Sequence, residues 1–170
     1  TVYVGPCFSL NGPLFSGTGT FAGDPDAGGS PTSTVRLGAS GTAGTITTTA
    51  TGVTAGNVTL KFRAKGWSAS ETSVTVSLGG VSQNITTLPT AFDEVTLTFS
   101  SVPANPSLTF STVAGKRLHI GNVQIFCPPA VPTLTVTPTS LSGLNYTVGF
   151  GPSAVQTFVL AGSNLDGSDV

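Results

Sequence analysis

The sequence predicts an all-β protein: a jelly-roll β-sandwich over residues 1–127, a proline-rich hinge over 128–132, and an incomplete second sandwich over 133–170. Three observations carry this reading. Thr, which suits the pleated and half-buried surface of a sheet, supplies 28 of the 170 residues, and 22 Gly with 12 Pro punctuate the chain at short intervals. Apolar residues recur at period two through the first 127 positions. Two cysteines, Cys7 and Cys127, bracket that stretch, and Pro128-Pro129-Ala130-Val131-Pro132 follows at once. Disorder, the other reading of a Gly/Ser/Thr-rich chain, does not fit a sequence that is 38% apolar and only 8% charged.

In chain order, a first strand holds Cys7. The stretch from Asn11 to Gly44 is less regular, with Leu14, Phe15 and Phe21, then the loop Gly23-Asp24-Pro25-Asp26-Ala27-Gly28-Gly29, then a strand at Thr34 to Leu37. It reads as the long connection of a Greek-key or jelly-roll topology. A further strand follows at Thr45 to Thr51. Val58, Leu60, Phe62 and Ala64 then face one way, with Thr59, Lys61, Arg63 and Lys65 opposite. Val74, Val76 and Leu78 alternate with Thr75 and Ser77, Val95, Leu97 and Phe99 with Thr96 and Thr98, and Leu108 pairs in parity with Phe110. Turn signals at Gly66-Trp67-Ser68, Gly79-Gly80, Leu88-Pro89, Pro103 to Pro106 and Ala114-Gly115 separate these runs. In the last strand Leu118 and Ile120 share one parity, whereas Val123, Ile125 and Cys127 share the other. A β-bulge at Gly121-Asn122 returns both sets to the core, because one extra residue resets the alternation.

Beyond the hinge, Leu134-Thr135-Val136, Tyr146 to Phe150 and Val155 to Leu160 give three strands. So short a remainder buries too little apolar area to fold alone. Three strands of an immunoglobulin-like sandwich leave a long edge unpaired. The expectation is completion by a downstream segment or by a neighbouring protein chain.

Cys7 and Cys127 are read either as a disulfide or as two buried thiols. The Thr-rich, Lys-poor composition favours the disulfide and an oxidising, extracellular setting. A net charge of −1 leaves no basic patch of the size that binds a nucleic-acid backbone, and no apolar run is long enough for a membrane span. The abrupt start at Thr1-Val2-Tyr3-Val4, already strand-like, reads as a segment of something longer.

The stretch Gly115-Lys116-Arg117-Leu118-His119-Ile120-Gly121-Asn122-Val123-Gln124-Ile125 resembles the closing strand of jelly-roll, galactose-binding-like modules in large secreted proteins of Bacteroidetes. Val58 to Trp67 is similar to a middle strand of the same modules. Leu141 to Tyr146, Gly151-Pro152-Ser153 and Gly162 to Leu165 resemble the start of an immunoglobulin-like module found beside them. The resemblance implies a secreted or cell-surface multidomain protein, exported by the type IX route, whose module is itself non-catalytic. Related closing strands carry Asp where this chain has Gly121, so a role for that carboxylate in cation binding does not carry over.

Catalytic residues are not evident. His119, the only histidine, has parity opposite to Leu118 and Ile120 and so faces solvent. The acidic pairs are Asp24/Asp26, Asp93/Glu94 and Asp166/Asp169, and adjacent strand residues such as Asp93 and Glu94 point to opposite faces. Asp24 and Asp26 are either a weak Ca²⁺ site, which needs six to eight oxygens, or a solvated turn. Trp67 and Tyr3 are candidates to stack on a sugar ring, with a Trp that closes the core as the alternative. Lys61, Arg63 and Lys65 form an outward basic stripe, suited to an acidic polysaccharide or simply a solvated face. The expected function is a non-catalytic extracellular structural or adhesive protein without a cofactor, with a carbohydrate-binding accessory module of a secreted enzyme as the alternative.

Overall fold

The computed structural model describes residues 5–10, 19, 21–24, 34–129 and 131–164, residues 21–24 by their backbone alone. Fourteen strands appear among them: β1 Phe8–Leu10, β2 Phe21–Asp24, β3 Thr34–Leu37, β4 Thr45–Thr49, β5 Gly56–Gly66, β6 Val74–Leu78, β7 Val81–Ile85, β8 Asp93–Val102, β9 Ser107–Ser111, β10 Leu118–Phe126, β11 Thr133–Thr137, β12 Tyr146–Thr147, β13 Gly151–Pro152 and β14 Val159–Ser163. The chain is all-β, and no helix among the described residues is long and apolar enough to cross a membrane. It divides into two units, Thr1–Pro128 and Pro129–Val170.

The first unit is a sandwich of two antiparallel sheets. The larger runs β2-β3-β10-β5-β8, with β1 pairing the far half of β10, and the smaller runs β4-β9-β6-β7. Period-two patterning explains why these segments are strands and which faces they bury. In β5, Val58, Leu60, Phe62 and Ala64 are buried, whereas Thr59, Lys61, Arg63 and Lys65 turn to the other side. β6 and β9 answer from the smaller sheet with Val74, Val76, Leu78, Leu108 and Phe110. The rings of Phe62 and Phe110 meet edge-on across the sandwich, with centroids 5.1 Å apart. Each large apolar side chain so enclosed contributes about 1.5–3 kcal/mol.

The pairing of β10 with β5 shifts register between Gly121 and Gln124, and Asn122 has a φ of 47°. That irregularity lets Leu118 and Ile120 before it, and Val123 and Ile125 after it, all enter the core. Asn is among the few residues that tolerate this left-handed conformation. Cys7 and Cys127 are joined by a disulfide, with Cα atoms 5.8 Å apart. Phe8 lies opposite Ile125, so the bridge ties the first strand of the unit to its last. Among the described glycines, Gly44 lies closest to another backbone: a Cβ there would lie 1.9 Å from the backbone nitrogen of Gly38, so only glycine lets these two backbones pass.

Five segments depart from expectation. Gly23 and Asp24 lie in strand β2 rather than in a loop, because Phe21 to Asp24 pair in register with Leu37 to Thr34 at the sheet edge, where pairing overrides their poor strand propensity. The strand from Thr45 stops at Thr49, where the chain turns through Gly52 at a φ of 87°. β7 was not expected at all; it is the outer partner of β6 in a hairpin through Gly79-Gly80. In the second unit β11 pairs β14, and Val159–Ser163 replaces the expected Val155 to Leu160 because that register matches Thr133–Thr137. There too, Tyr146 to Phe150 shortens to β12, since Phe150 N–H donates back to the Thr147 carbonyl and closes a turn.

Candidate functional site

The larger sheet turns its charged side chains away from the core, and its register fixes which of them are neighbours. Arg36, His119 and Lys65 form one row across β3, β10 and β5. Gly121, Arg63 and Glu94 form the next, then Ser9, Gln124, Lys61 and Thr96, then Phe126, Thr59 and Thr98. At the bulge the surface opens into a cleft of about 300 Å³ lined by Lys61, Phe62, Arg63, Glu94, Asn122 and Gln124. Lys61 Nζ lies 2.9 Å from Glu94 Oε1 and 6.0 Å from the centre of the Phe126 ring. Arg63 Nη2 donates to the Phe92 carbonyl at 3.2 Å, which holds the guanidinium at the cleft wall. The cleft thus offers two amides that both donate and accept, two cations, one carboxylate and a nearby aromatic ring.

A second cluster occupies one end of the same face. His119 is only 8% exposed, so the expectation that it faces solvent is corrected: its parity is outward, but neighbouring rings cover it. Trp67 stacks against it at 5.6 Å with an interplanar angle of 18°, and Phe92 lies 6.2 Å away. The Arg117 guanidinium sits 4.6 Å over the Trp67 ring, and Lys65 Nζ sits 4.6 Å over that of Phe92. Trp67 remains 44% exposed. Arg117 is fixed in turn by Glu71, whose carboxylate accepts from the Arg117 backbone N–H at 2.8 Å, from Nε at 2.8 Å and from Nη2 at 2.7 Å. These hydrogen bonds hold the Glu71 carboxyl down at about 2, against a smaller upward push from desolvation. The same partner raises the Arg117 guanidinium above its ordinary value. Both groups therefore stay charged through the neutral and mildly acidic range.

All four expected ligand contacts, Trp67, Lys61, Arg63 and Lys65, lie on or at the end of this one face, since β5 carries them on alternate positions. Tyr3, Asp26, Asp166 and Asp169 lie outside the described residues, and Asp24 is described by its backbone alone, which leaves the expected Ca²⁺ pair outside them too. Among the described residues no group of three His, Cys, Asp or Glu could hold a metal ion. Glu94 is engaged by Lys61, and Asp93 Oδ1 accepts from the Glu94 backbone N–H at 2.8 Å. Sequence reasoning missed Glu71, Phe92, Glu94, Asn122, Gln124 and Phe126 as members of this surface, because cross-strand register and not sequence spacing brings them together.

No family model matches the sequence, and no curated protein matches it. Solved structures do share its fold. They include a family 16 carbohydrate-binding module, at 12% identity over 63% of this chain and 85% of that one, with a TM-score of 0.50. Another is the CBM36-1 domain of a multidomain xylanase from the hindgut metagenome of Trinervitermes trinervoides, at 12% identity over 72% and 98%, with a TM-score of 0.52. A third is an exo-β-1,3-galactanase from Phanerochaete chrysosporium in complex with β-1,3-galactotriose, at 16% identity over 74% of this chain but only 30% of that one, with a TM-score of 0.55. At such identities the likeness is one of fold alone: this chain is similar to the jelly-roll β-sandwiches of carbohydrate-binding modules.

Proposed function

We propose that the first unit is a non-catalytic carbohydrate-binding module of an extracellular protein, and that it holds its ligand on the outward face of the larger sheet. This was the alternative reading of the sequence, and it now has more support than the structural or adhesive one. The observation that carries it is the cleft at the bulge. Sugar rings present both donors and acceptors at every hydroxyl, and Asn122, Gln124, Lys61, Arg63 and Glu94 supply both kinds of partner around one opening. Phe126 adds an apolar surface beside them. A volume of about 300 Å³ is at the small end of ligand sites, enough for a short stretch of glycan. The jelly-roll likeness supports the reading, and the disulfide fits an oxidising compartment. Affinity electrophoresis of the intact chain against a panel of polysaccharides tests it. At least one should retard the wild type, and Gln124→Ala with Lys61→Ala should weaken that retardation about tenfold without moving the thermal midpoint. A wild-type chain retarded by none of them overturns the proposal.

A second reading concerns the other unit and rests on a different observation. Val148, Phe150 and Val155 are 87–91% exposed there, and no residue of β11, β12 or β14 is buried. We infer that these strands belong to an immunoglobulin-like sandwich completed by a further segment or a neighbouring chain, within a larger secreted or surface protein of the Bacteroidetes type. Light scattering across a concentration series checks the neighbouring-chain version: association should appear and should be abolished by Phe150→Asp. A monomer at every concentration removes it.

A further inference from the structure

The described asparagines and glutamines of the first unit are Asn57, Gln83, Asn84, Asn105, Asn122 and Gln124. The first four bond to the protein through their side chains. Asn57 Oδ1 accepts from the Ser101 backbone N–H at 3.1 Å, and Asn105 Oδ1 from the Gly52 backbone N–H at 2.7 Å. Gln83 Nε2 donates to the Thr98 carbonyl at 2.7 Å, and Asn84 Oδ1 accepts from the Thr75 hydroxyl at 3.5 Å. Among the described residues, the carboxamides of Asn122 and Gln124 make no hydrogen bond to the protein, and both line the cleft at the bulge. Exposure does not account for the difference. Asn57, Asn84 and Asn105 stand exposed and are bonded, whereas Asn122 and Gln124 are half-buried and are not. A polar group partly withdrawn from water gains most from a partner, and here the fold supplies none.

The backbone alone does not call for asparagine at 122. Arg63 pairs with Gly121 and Lys61 with Gln124, so Asn122 and Val123 together stand opposite Phe62. Val123 is buried in the core, and Asn122 takes the left-handed backbone at a φ of 47°. Glycine is the ordinary residue for that conformation, and the chain uses it at Gly38, Gly79 and Gly115 among others. Asn105 shares the φ of 47°, and its side chain holds Gly52 in place. The Asn122 side chain holds nothing in the protein and lines the cleft instead. Charged groups around it are already engaged, Lys61 with Glu94 and Arg63 with the Phe92 carbonyl. A carboxamide sets an acceptor and two donors side by side, which matches two adjacent hydroxyls of a sugar ring.

We infer that Asn122 is the specificity-determining residue of this cleft, and that its carboxamide, together with that of Gln124, selects adjacent hydroxyls of an uncharged glycan. The inference rests on the carbohydrate-binding reading and adds to it the selecting residue and the substrate class. The bulge then serves recognition as well as packing. One inserted residue returns Val123 and Ile125 to the core and, at the same point, places an unbonded amide in the cleft wall.

Affinity electrophoresis of the intact chain separates the carboxamide from the backbone it sits on. The polymers are xylan, galactomannan and amylopectin, which carry adjacent free hydroxyls, and laminarin, whose linkages leave no two adjacent hydroxyls free within its chain. Polygalacturonate is set against its methyl ester. At least one of the first three should retard wild type, laminarin should do so at least about tenfold less, and polygalacturonate should not be preferred to its ester. Asn122→Gly should weaken the retardation about tenfold with no fall in thermal midpoint, because glycine keeps the left-handed backbone. Asn122→Ala, which loses the amide and strains the backbone, should lower both. Retardation of Asn122→Gly equal to wild type overturns the inference and leaves the carbohydrate-binding reading standing, since asparagine would then serve the backbone alone. A wild type that prefers laminarin or polygalacturonate overturns it in the same way. Should the glycine variant lose thermal midpoint, Gln124→Leu decides: a several-fold loss of retardation supports the inference, and none overturns it. No retardation by any polysaccharide sinks both readings.

Discussion

Replacing Cys7 and Cys127 by serine is expected to lower the unfolding free energy of the first unit by about 4–5 kcal/mol. The bridge spans 120 residues, nearly the whole unit, so in the unfolded chain it closes a very long loop and removes much of its freedom. The folded state depends on it as well. β1 has three residues and pairs only with the far half of β10, an attachment too short to be firm without a covalent tie. The Cys7 backbone N–H donates to the Ile125 carbonyl at 2.8 Å, and both cysteines pack against the core. Urea unfolding followed by Trp67 fluorescence measures the effect: the midpoint should fall for the double serine variant and for wild type under reductant alike. Should the serine chain fail to fold, adding reductant to folded wild type gives the same comparison from the native side. A difference below about 1 kcal/mol would show that the chain-entropy contribution is absent.

Much of this architecture was legible in the residues, for a definite physical reason. A strand with one buried face must alternate, so Val58 to Ala64, Val74 to Leu78, Val95 to Phe99 and Leu108 to Phe110 disclosed both their strands and their inner faces. The bulge was legible because two apolar sets of opposite parity in one strand have a single economical solution, and Asn122 supplies the required backbone. β7 was not legible: Val81-Ser82-Gln83-Asn84-Ile85 is an edge strand with largely exposed side chains, so burial left little pattern on it. The tail strands shifted for a related reason. With no buried side chain on β11, β12 or β14, register there is set by backbone pairing alone, and sequence alternation carries no information about it.

The face that carries the proposed site was half legible. Parity along β5 placed Lys61, Arg63 and Lys65 together before any topology was known. Glu94, Gln124 and Asn122 join them only because β5 lies between β8 and β10, an arrangement that depends on long-range pairing. Phe92 precedes β8 and Glu71 precedes β6, and no spacing rule links either of them to Lys65 or Arg117. His119 shows the limit of parity as an argument. It points outward as its position requires, yet Trp67 and Phe92 bury it from above.

Phe62→Ala is expected to cost about 3–5 kcal/mol, because it empties the centre of the sandwich. Phe62 is 1% exposed on β5, the strand between β8 and β10 beneath the cleft, and its ring meets Phe110 of the smaller sheet at an interplanar angle of 74°. Phe110→Ala should cost a similar amount, since it opens the same space from the other sheet. The two losses should not add. Once one ring has gone, its partner has already lost the edge-to-face contact and part of its enclosure, so the double variant should be less destabilised than the sum by at least about 0.5 kcal/mol. Strict additivity would mean that the rings do not share one packing site. The disulfide, kept intact in all three variants, limits the unfolded ensemble and makes measurement feasible at these losses. Lys61 and Arg63 flank Phe62 on the opposite face, and both line the cleft. A β5 that settles into the vacated volume therefore carries the cleft walls with it. Glycan retardation by folded Phe62→Ala protein should fall, although the substituted side chain sits on the core side of the sheet, and unchanged retardation would show that the cleft does not rest on this packing.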